Sequence, residues 1–211
     1  MFVFEDSCLK YREYMVVADL HIGYEAELEK KGYSIPSQTK EILEKIKNLK
    51  KDSKKIILLG DVKHEIPKTS KQEIIEIPFF LRKLKSMFEE VVIIKGNHDG
   101  NIEKMTDLPV LKEFVLGEVG FVHGNSLPSK DFLEKVKIIV MGHTHPVFKY
   151  EDDFGKIHFK KSWVIGKWKN KKVIIMPAFN DLFSGHDKIL GPFSKDFEKE
   201  QIFLTDLTRI L

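Results

Sequence analysis

Cysteine, arginine and long apolar runs are what this 211-residue chain has least of, and each shortage removes a class of explanation. The single cysteine, Cys8, cannot close an internal disulfide and fits a reducing compartment. No apolar run approaches the ~20 residues that a bilayer-crossing helix needs. The opening Met1-Phe2-Val3-Phe4-Glu5-Asp6 also lacks the basic-then-apolar layout of a signal peptide. We therefore expect a cytoplasmic protein with no membrane partner. Arg12, Arg82 and Arg209 are the only arginines, so two-pronged guanidinium recognition of anions is poorly supplied. Lysine provides almost all of the positive charge and glutamine is scarce, a mix found in hyperthermophile proteins and equally produced by AT-rich coding. The net charge of +3 is too small to point to an acidic partner. No linker, repeat or low-complexity tract divides the chain, and residues 1–211 are expected to form one domain.

What the chain does have is a set of five short apolar runs, each ending in potential metal ligands. Met15-Val16-Val17-Ala18 leads into Asp19-Leu20-His21, Ile56-Ile57-Leu58-Leu59 into Gly60-Asp61, and Val91-Val92-Ile93-Ile94-Lys95 into Gly96-Asn97-His98-Asp99. Gly120-Phe121-Val122 leads into His123-Gly124, and Ile138-Ile139-Val140-Met141 into Gly142-His143-Thr144-His145. A β-branched run closed by glycine or a polar cluster is the pattern of a strand buried on both faces. The donors thus collect at strand carboxyl ends, beyond which open α/β sheets bind their ligands. Asp, Asn and His together suit Mn, Fe, Zn or Ni. Seven such donors exceed what one catalytic ion takes, so two metals are the economical reading. Taken singly, an Asp-x-His or a Gly-Asp is more often a turn than a ligand pair. The inference rests on all five together.

In this order the motifs, spanning residues 15–146, resemble the calcineurin-like metallophosphoesterase superfamily. The block Gly60-Asp61-Val62-Lys63-His64-Glu65 resembles a small archaeal and bacterial branch with members linked to DNA ligation and repair. The resemblance implies that Asp19, His21 and His145 bind one divalent ion, that Asn97, His123 and His143 bind a second, and that Asp61 bridges them. Manganese is the first expectation, with iron, zinc or nickel as alternatives. A carboxylate offers about four lone-pair sites and can bridge, while imidazole and an amide oxygen each offer one good lone pair. The implied chemistry is in-line attack of a metal-bound hydroxide on a phosphate ester. His98 is implied to stand beside the phosphate and give a proton or hydrogen bond to the leaving oxygen. Asp99 is expected to orient His98 through its other ring nitrogen. His64 departs from the residue many members carry there, and stays open between a substrate-pocket and a structural role.

Elsewhere, segment 36–51 presents Ile42, Leu43, Ile46 and Leu49 at helical spacing behind the start signal Ser34-Ile35-Pro36-Ser37. Around 71–88, Ile74, Ile77, Leu81, Leu84 and Phe88 mark a second helix, its start shaped or its axis kinked by Pro78. Strand–helix alternation over the first 95 residues argues for parallel neighbours and right-handed crossovers. From Gly120 onward strands dominate and suggest hairpins in a second sheet. The expected fold class is α/β (α+β in some schemes), a two-layer β core flanked by helices, which agrees with the calcineurin-like fold.

Segment 155–172 contains Lys156, Lys160, Lys161, Lys167, Lys169, Lys171 and Lys172 with Phe159, Trp163 and Trp168 interleaved and no acid. It reads either as a single-strand nucleic-acid face or, in preference, as a hairpin with solvated lysines and inward aromatics. His158 reads as solvated. His186, beyond the last apolar run at 173–176, reads as a loop residue that could line the crevice. Three functions are compatible with the motifs. A phosphodiesterase on nucleotides or nucleic acid is preferred, because the chain lacks a large insertion that would wall off a macromolecule. A phosphomonoesterase would want more arginine, and a non-catalytic metal-binding scaffold would tend to have lost motif residues that are all retained here. The expected partner is a phosphate-ester substrate, with nucleic acid a candidate and the oligomeric state open.

Overall fold

The computed structural model describes residues 1–183 and 185–211. Strands β1 (Phe2–Glu5), β2 (Cys8–Tyr11), β3 (Tyr14–Val17), β4 (Lys55–Leu59), β5 (Glu90–Ile94) and β6 (Val110–Leu111) form one sheet in chain order. The first three run antiparallel, and β3 to β6 run parallel. The second sheet is built from β7 (Glu113–Leu116), β8 (Val119–Val122), β9 (Ile138–Met141), β10 (Val147–Glu151), β11 (Ile157–Trp168) and β12 (Lys171–Ile175). Its order is β10-β11-β12-β9-β8-β7, and β13 (Phe197–Leu204) pairs with β11. Here β8, β9 and β12 are parallel neighbours.

The central strands are apolar at successive positions because both of their faces are covered. Val16, Ile57, Leu59, Val92 and Ile94 of the first sheet pack with Val119, Phe121, Val140 and Ile174 of the second. On the outer face of the first sheet, Met15, Val17, Ile56, Leu58 and Ile93 pack with the buried stripes of α2 (Thr39–Lys50) and α3 (Lys71–Met87). On the outer face of the second, Ile139, Met141, Val173 and Ile175 pack with Phe132 of α4 (Lys130–Lys135), Trp168 and Phe193. The result is helix, sheet, sheet, helix, as the motif order implied.

Several local expectations change. Helix α2 begins at Thr39 instead of 36, because Ser37 Oγ and Thr39 Oγ1 both bind Glu76 of α3 and draw the entry segment onto that helix. Helix α3 runs unbroken through Pro78. A mid-helix proline costs ~3 kcal/mol, whereas burying Ile77, Phe80, Leu81 and Leu84 contributes ~1.5–3 kcal/mol for each side chain. Burial wins. Ile74, assigned to the buried stripe, is instead 57% exposed. The run at 173–176 is not the last strand, since β13 follows it. The β1–β2 hairpin and the seven-residue helix α1 (Tyr24–Lys30) carry too little periodic signal to be anticipated. In segment 155–172 the two tryptophans turn inward, Trp163 and Trp168 being buried with their indole N–H groups donating to the carbonyls of Asp6 and Lys195, whereas Phe159, expected to pack inward, is 60% exposed. His158 lies on β11 beside Asp152, part-exposed. Among the described residues no helix is long and apolar enough to cross a membrane.

Candidate metal centre

The tails of β3 and β4 continue to pair after the strands end, with Asp19 N donating to the Gly60 carbonyl at 3.1 Å and His21 N to the Asp61 carbonyl at 2.9 Å. Pairing past the strand forces unusual backbone. Asp19, His21, Asp61, His143 and His145 all adopt left-handed φ, between 43° and 64°. Such conformations cost on the order of 1–3 kcal/mol each for residues other than glycine and cluster where function over-determines them. Two glycines let the tails meet. A Cβ on Gly96 would stand 2.1 Å from Asp61 Oδ1, and one on Gly60 2.1 Å from His123 Nδ1.

The acidic groups also tie the loops together. Asp19 accepts from His143 N at 3.1 Å and Asp61 from His98 N at 2.8 Å, so each carboxylate fixes the backbone of another motif. Asp99 accepts from Val62 N, Lys63 N and Gly96 N at 2.8–3.1 Å. It does not reach His98. The expectation that Asp99 orients His98 is therefore corrected: the turn at 96–99 sends Asp99 inward under the Asp61 loop, and the His98 Nδ1 hydrogen goes to the backbone carbonyl of His64.

Seen from their side chains, the donors form two clusters that share Asp61: Asp19, His21, Asp61 and His145 in one, Asp61, His123 and His143 in the other. In the first, His21 Nε2 and His145 Nε2 face each other at 3.4 Å, His145 Nε2 lies 3.1 Å from Asp19 Oδ1, and His21 Nε2 lies 3.9 Å from Asp61 Oδ2. In the second, His123 Nε2 is 3.2 Å from Asp61 Oδ2 and 3.2 Å from Asn97 Oδ1. Bonds of about 2.0–2.2 Å to one ion set neighbouring donors about 3–3.5 Å apart, so these groups fit divalent cations. All seven motif donors are thereby brought to one rim of the sandwich.

Electrostatics favour the same reading. Burial alone would raise the Asp61 carboxyl, but the hydrogen bond and charge of His123 and the nearby His21 hold it well below the carboxylate range. Burial likewise disfavours a charged His123, yet Asp61 and Asp19 raise it to about 9. Two buried carboxylates thus demand positive charge beside them, which a proton on His123 or a cation can supply. Burial and the charge of His123 lower His143 to about 4, and burial lowers His21 well below its ordinary value. Both then keep lone pairs for an ion. Asp99 is raised to about 6 by burial and by the charge of Asp61.

Around the first cluster lies a chain of contacts. His64 Nε2 is 2.7 Å from Glu27 Oε2, and His64 Nδ1 is 3.3 Å from His21 Nδ1. Hydrogen bonds from Lys31 and His64 lower the Glu27 carboxyl to about 2, so it accepts from His64 Nε2–H. His64 Nδ1 then accepts from His21 Nδ1–H, leaving His21 Nε2 as the free lone pair. On the other side, His123 Nδ1 lies 3.2 Å from the Leu59 carbonyl and donates to it, which frees its Nε2 in the same way. The nitrogens of His21, His64 and His98 also come together, but that trio has no carboxylate and both His64 nitrogens are engaged. Phe183 stacks on His21 at 3.9 Å and 11°, with Tyr24 edge-on to it.

Phe183, Tyr24 and Glu27 were not singled out from the sequence. In the sequence the loop containing Phe183 stands out only for His186, which joins by its backbone, bridging Pro146 and Val147, while its side chain lies outside both clusters.

A two-sheet sandwich with His, Asp and Asn donors at its strand ends is the framework of a metal-dependent enzyme fold, and the calcineurin-like phosphoesterase model matches residues 13–187. The chain belongs to that family. It is similar in structure to the nuclease MPE of Pseudomonas putida, with 22% identity, 100% of this chain and 99% of that one covered, and a TM-score of 0.67. A phosphoesterase of E. coli, Yfce, shares 14% identity over 94% of this chain and 96% of its own, with a TM-score of 0.45. At such identities the likeness is one of fold. Among curated proteins there is no match.

Proposed function

We propose that this protein is a phosphodiesterase acting on nucleotides or nucleic acid at a centre of two divalent cations. The observation that carries the reading is the sharing of Asp61 between two donor clusters. Asp19, His21, His145 and Asp61 would hold one cation, and Asp61, Asn97, His123 and His143 the other. When bound, such a pair activates water for in-line attack and stabilises the attacking and leaving oxygens. The protein's own groups do the rest. His98, held by its Nδ1 hydrogen on the His64 carbonyl, would act as the imidazolium, giving its Nε2 proton to the leaving oxygen and becoming the neutral ring. Glu27 and His64 act through His21, fixing its tautomer. Asp99 organises the backbone that carries Asp61 and Asn97.

The diester preference is supported by what surrounds the centre. A monoester dianion suits a two-pronged guanidinium clamp, and the three arginines lie elsewhere, Arg12 beside Gly117, Arg82 beside Phe79 and Arg209 on the Leu211 carbonyl. The scaffold reading is disfavoured by the complete donor set with His98 beside it. Manganese is the proposed native metal, residues 1–211 one domain and the cytosol its location, the last supported by the buried, unpaired Cys8 thiol.

The test compares initial hydrolysis rates of bis(p-nitrophenyl) phosphate and p-nitrophenyl phosphate by Mn²⁺-loaded protein, with Asp61→Asn as control. Faster diester turnover, lost in the control, is the expected result. Faster monoester turnover, or none on either ester by a metal-loaded protein, would reject the reading.

A further inference from the structure

Beside the second cluster, the surface opens into a groove of 490 Å³ that starts at Gly96 and His123 and runs outward between two walls. Its volume lies in the range of small-molecule sites. One wall carries Lys95 and Lys112, brought side by side because Lys95 N donates to the Leu111 carbonyl at 2.7 Å. The other is the loop between β8 and α4, with Asn125, Ser126 and Leu127. That loop is anchored at its far end: Ser129 caps α4 and gives both its N–H and its hydroxyl to Glu113, at 2.9 and 2.5 Å. The one carboxylate lining the groove is thereby engaged. Lys95 is already paired with Glu103 at 2.5 Å, whereas Lys112 is exposed and pairs with no carboxylate among the described residues, which makes it the cation the groove has to offer. Leu127, at 53% exposure, presents an apolar surface opposite the lysines.

A cationic wall, an apolar contact and amide and hydroxyl groups, all within reach of the metal centre, are the chemistry that recognises a nucleotide bearing its own phosphate. We propose that the groove seats the nucleotide flanking the scissile phosphate, with Lys112 on its phosphate and residues 125–127 on its base. The preferred substrate is then a nucleic-acid strand instead of a free mononucleotide ester. This rests on the diesterase reading above, and it accounts for the feature that reading leaves unused: a basic, walled channel leaving the centre on one side.

The experiment uses the full chain carrying Lys112→Glu and, separately, Ser126→Trp, which fills the groove without altering charge. A fluorescein-labelled single-stranded oligonucleotide is titrated by anisotropy in EDTA at several salt concentrations. In parallel, kcat/KM on that oligonucleotide is divided by kcat/KM on bis(p-nitrophenyl) phosphate with Mn²⁺. Lys112→Glu is expected to weaken oligonucleotide affinity about tenfold, to reduce the log–log salt slope by about one, and to lower the rate ratio about tenfold. Ser126→Trp is expected to lower affinity and ratio comparably with little change in salt slope. An effect of Lys112→Glu alone would mean long-range charge and would overturn the groove assignment, as would unaltered affinity in both variants or equal losses on the two esters. If the parent protein cleaves neither ester, the diesterase reading falls, and the affinity titration still decides the groove.

Discussion

Around Asp19, His21 and His145 every donor is buried and Phe183 lies flat on the His21 ring. Around His123, by contrast, His143 is part-exposed, Asn97 is exposed, and a groove opens beside them. The two halves share Asp61 and are otherwise differently built. A donor set closed off by an aromatic ring and braced by the Glu27–His64–His21 chain would keep water from competing for an ion held there. A set open to solvent leaves positions for substrate and permits exchange. The difference teaches that two donor clusters built from similar residues need not be equivalent: under the two-cation reading, the closed one would suit retention and the open one exchange and substrate.

Removing the shared residue sharpens this picture most. Asp61→Asn is expected to reduce phosphoester turnover by more than the ~100-fold ascribed to outer-layer partners and to lower bound metal below two equivalents, read by elemental analysis of dialysed protein. Next in size is His98→Asn. Both cations stay, while cleavage of an unactivated diester falls ~10²–10⁴-fold, with a smaller loss on bis(p-nitrophenyl) phosphate because nitrophenolate leaves without a proton. Retained turnover on the unactivated ester would remove His98 from its role. Glu27→Gln or His64→Ala is aimed at the closed half alone. One metal equivalent is expected to weaken ~10–100-fold in calorimetric titration with the other little altered, and equal weakening of both would break the comparison.

The smallest effect is on stability. In metal-free protein His123 titrates in the folded state near pH 9, above its ordinary value of 6.5. Folded protein therefore binds more protons than unfolded protein between those values. The stabilisation from His123 is complete below about pH 6.5 and is lost as pH rises through 9. With metal bound the slope is expected to weaken or reverse, because a ligand imidazole must be unprotonated. Thermal melts from pH 6 to 9.5 with EDTA and with Mn²⁺ measure both slopes.

How much of this could be read from the chain follows from how local each feature is. Strands β3, β4, β5, β8 and β9 announce themselves because burial on both faces writes an unbroken apolar run, and the polar residues closing each run are the donors. Glu27 and Phe183 are different: their importance lies in touching His64 and His21, and α1 is too short for any periodic pattern to flag it. The partners of Asp99 are hidden for a related reason, since adjacency to His98 in sequence says nothing about which way the 96–99 turn points each side chain. Ile74 shows the limit of helical spacing, which places a residue near the edge of a stripe without saying how far the neighbouring helix extends to cover it.

His21 and His145, 3.4 Å apart in space, are separated by 124 residues of chain. During synthesis, a ribosome that has released all of the first sheet has released Asp19, His21, Asp61 and Asn97, but not His123, His143 or His145. Neither donor cluster can be complete on such a nascent chain. The full donor set exists only once His145 has been made, and at that point β10 to β13 of the second sheet are still to come, so the donors of both clusters are drawn together only as the second sheet closes onto the first.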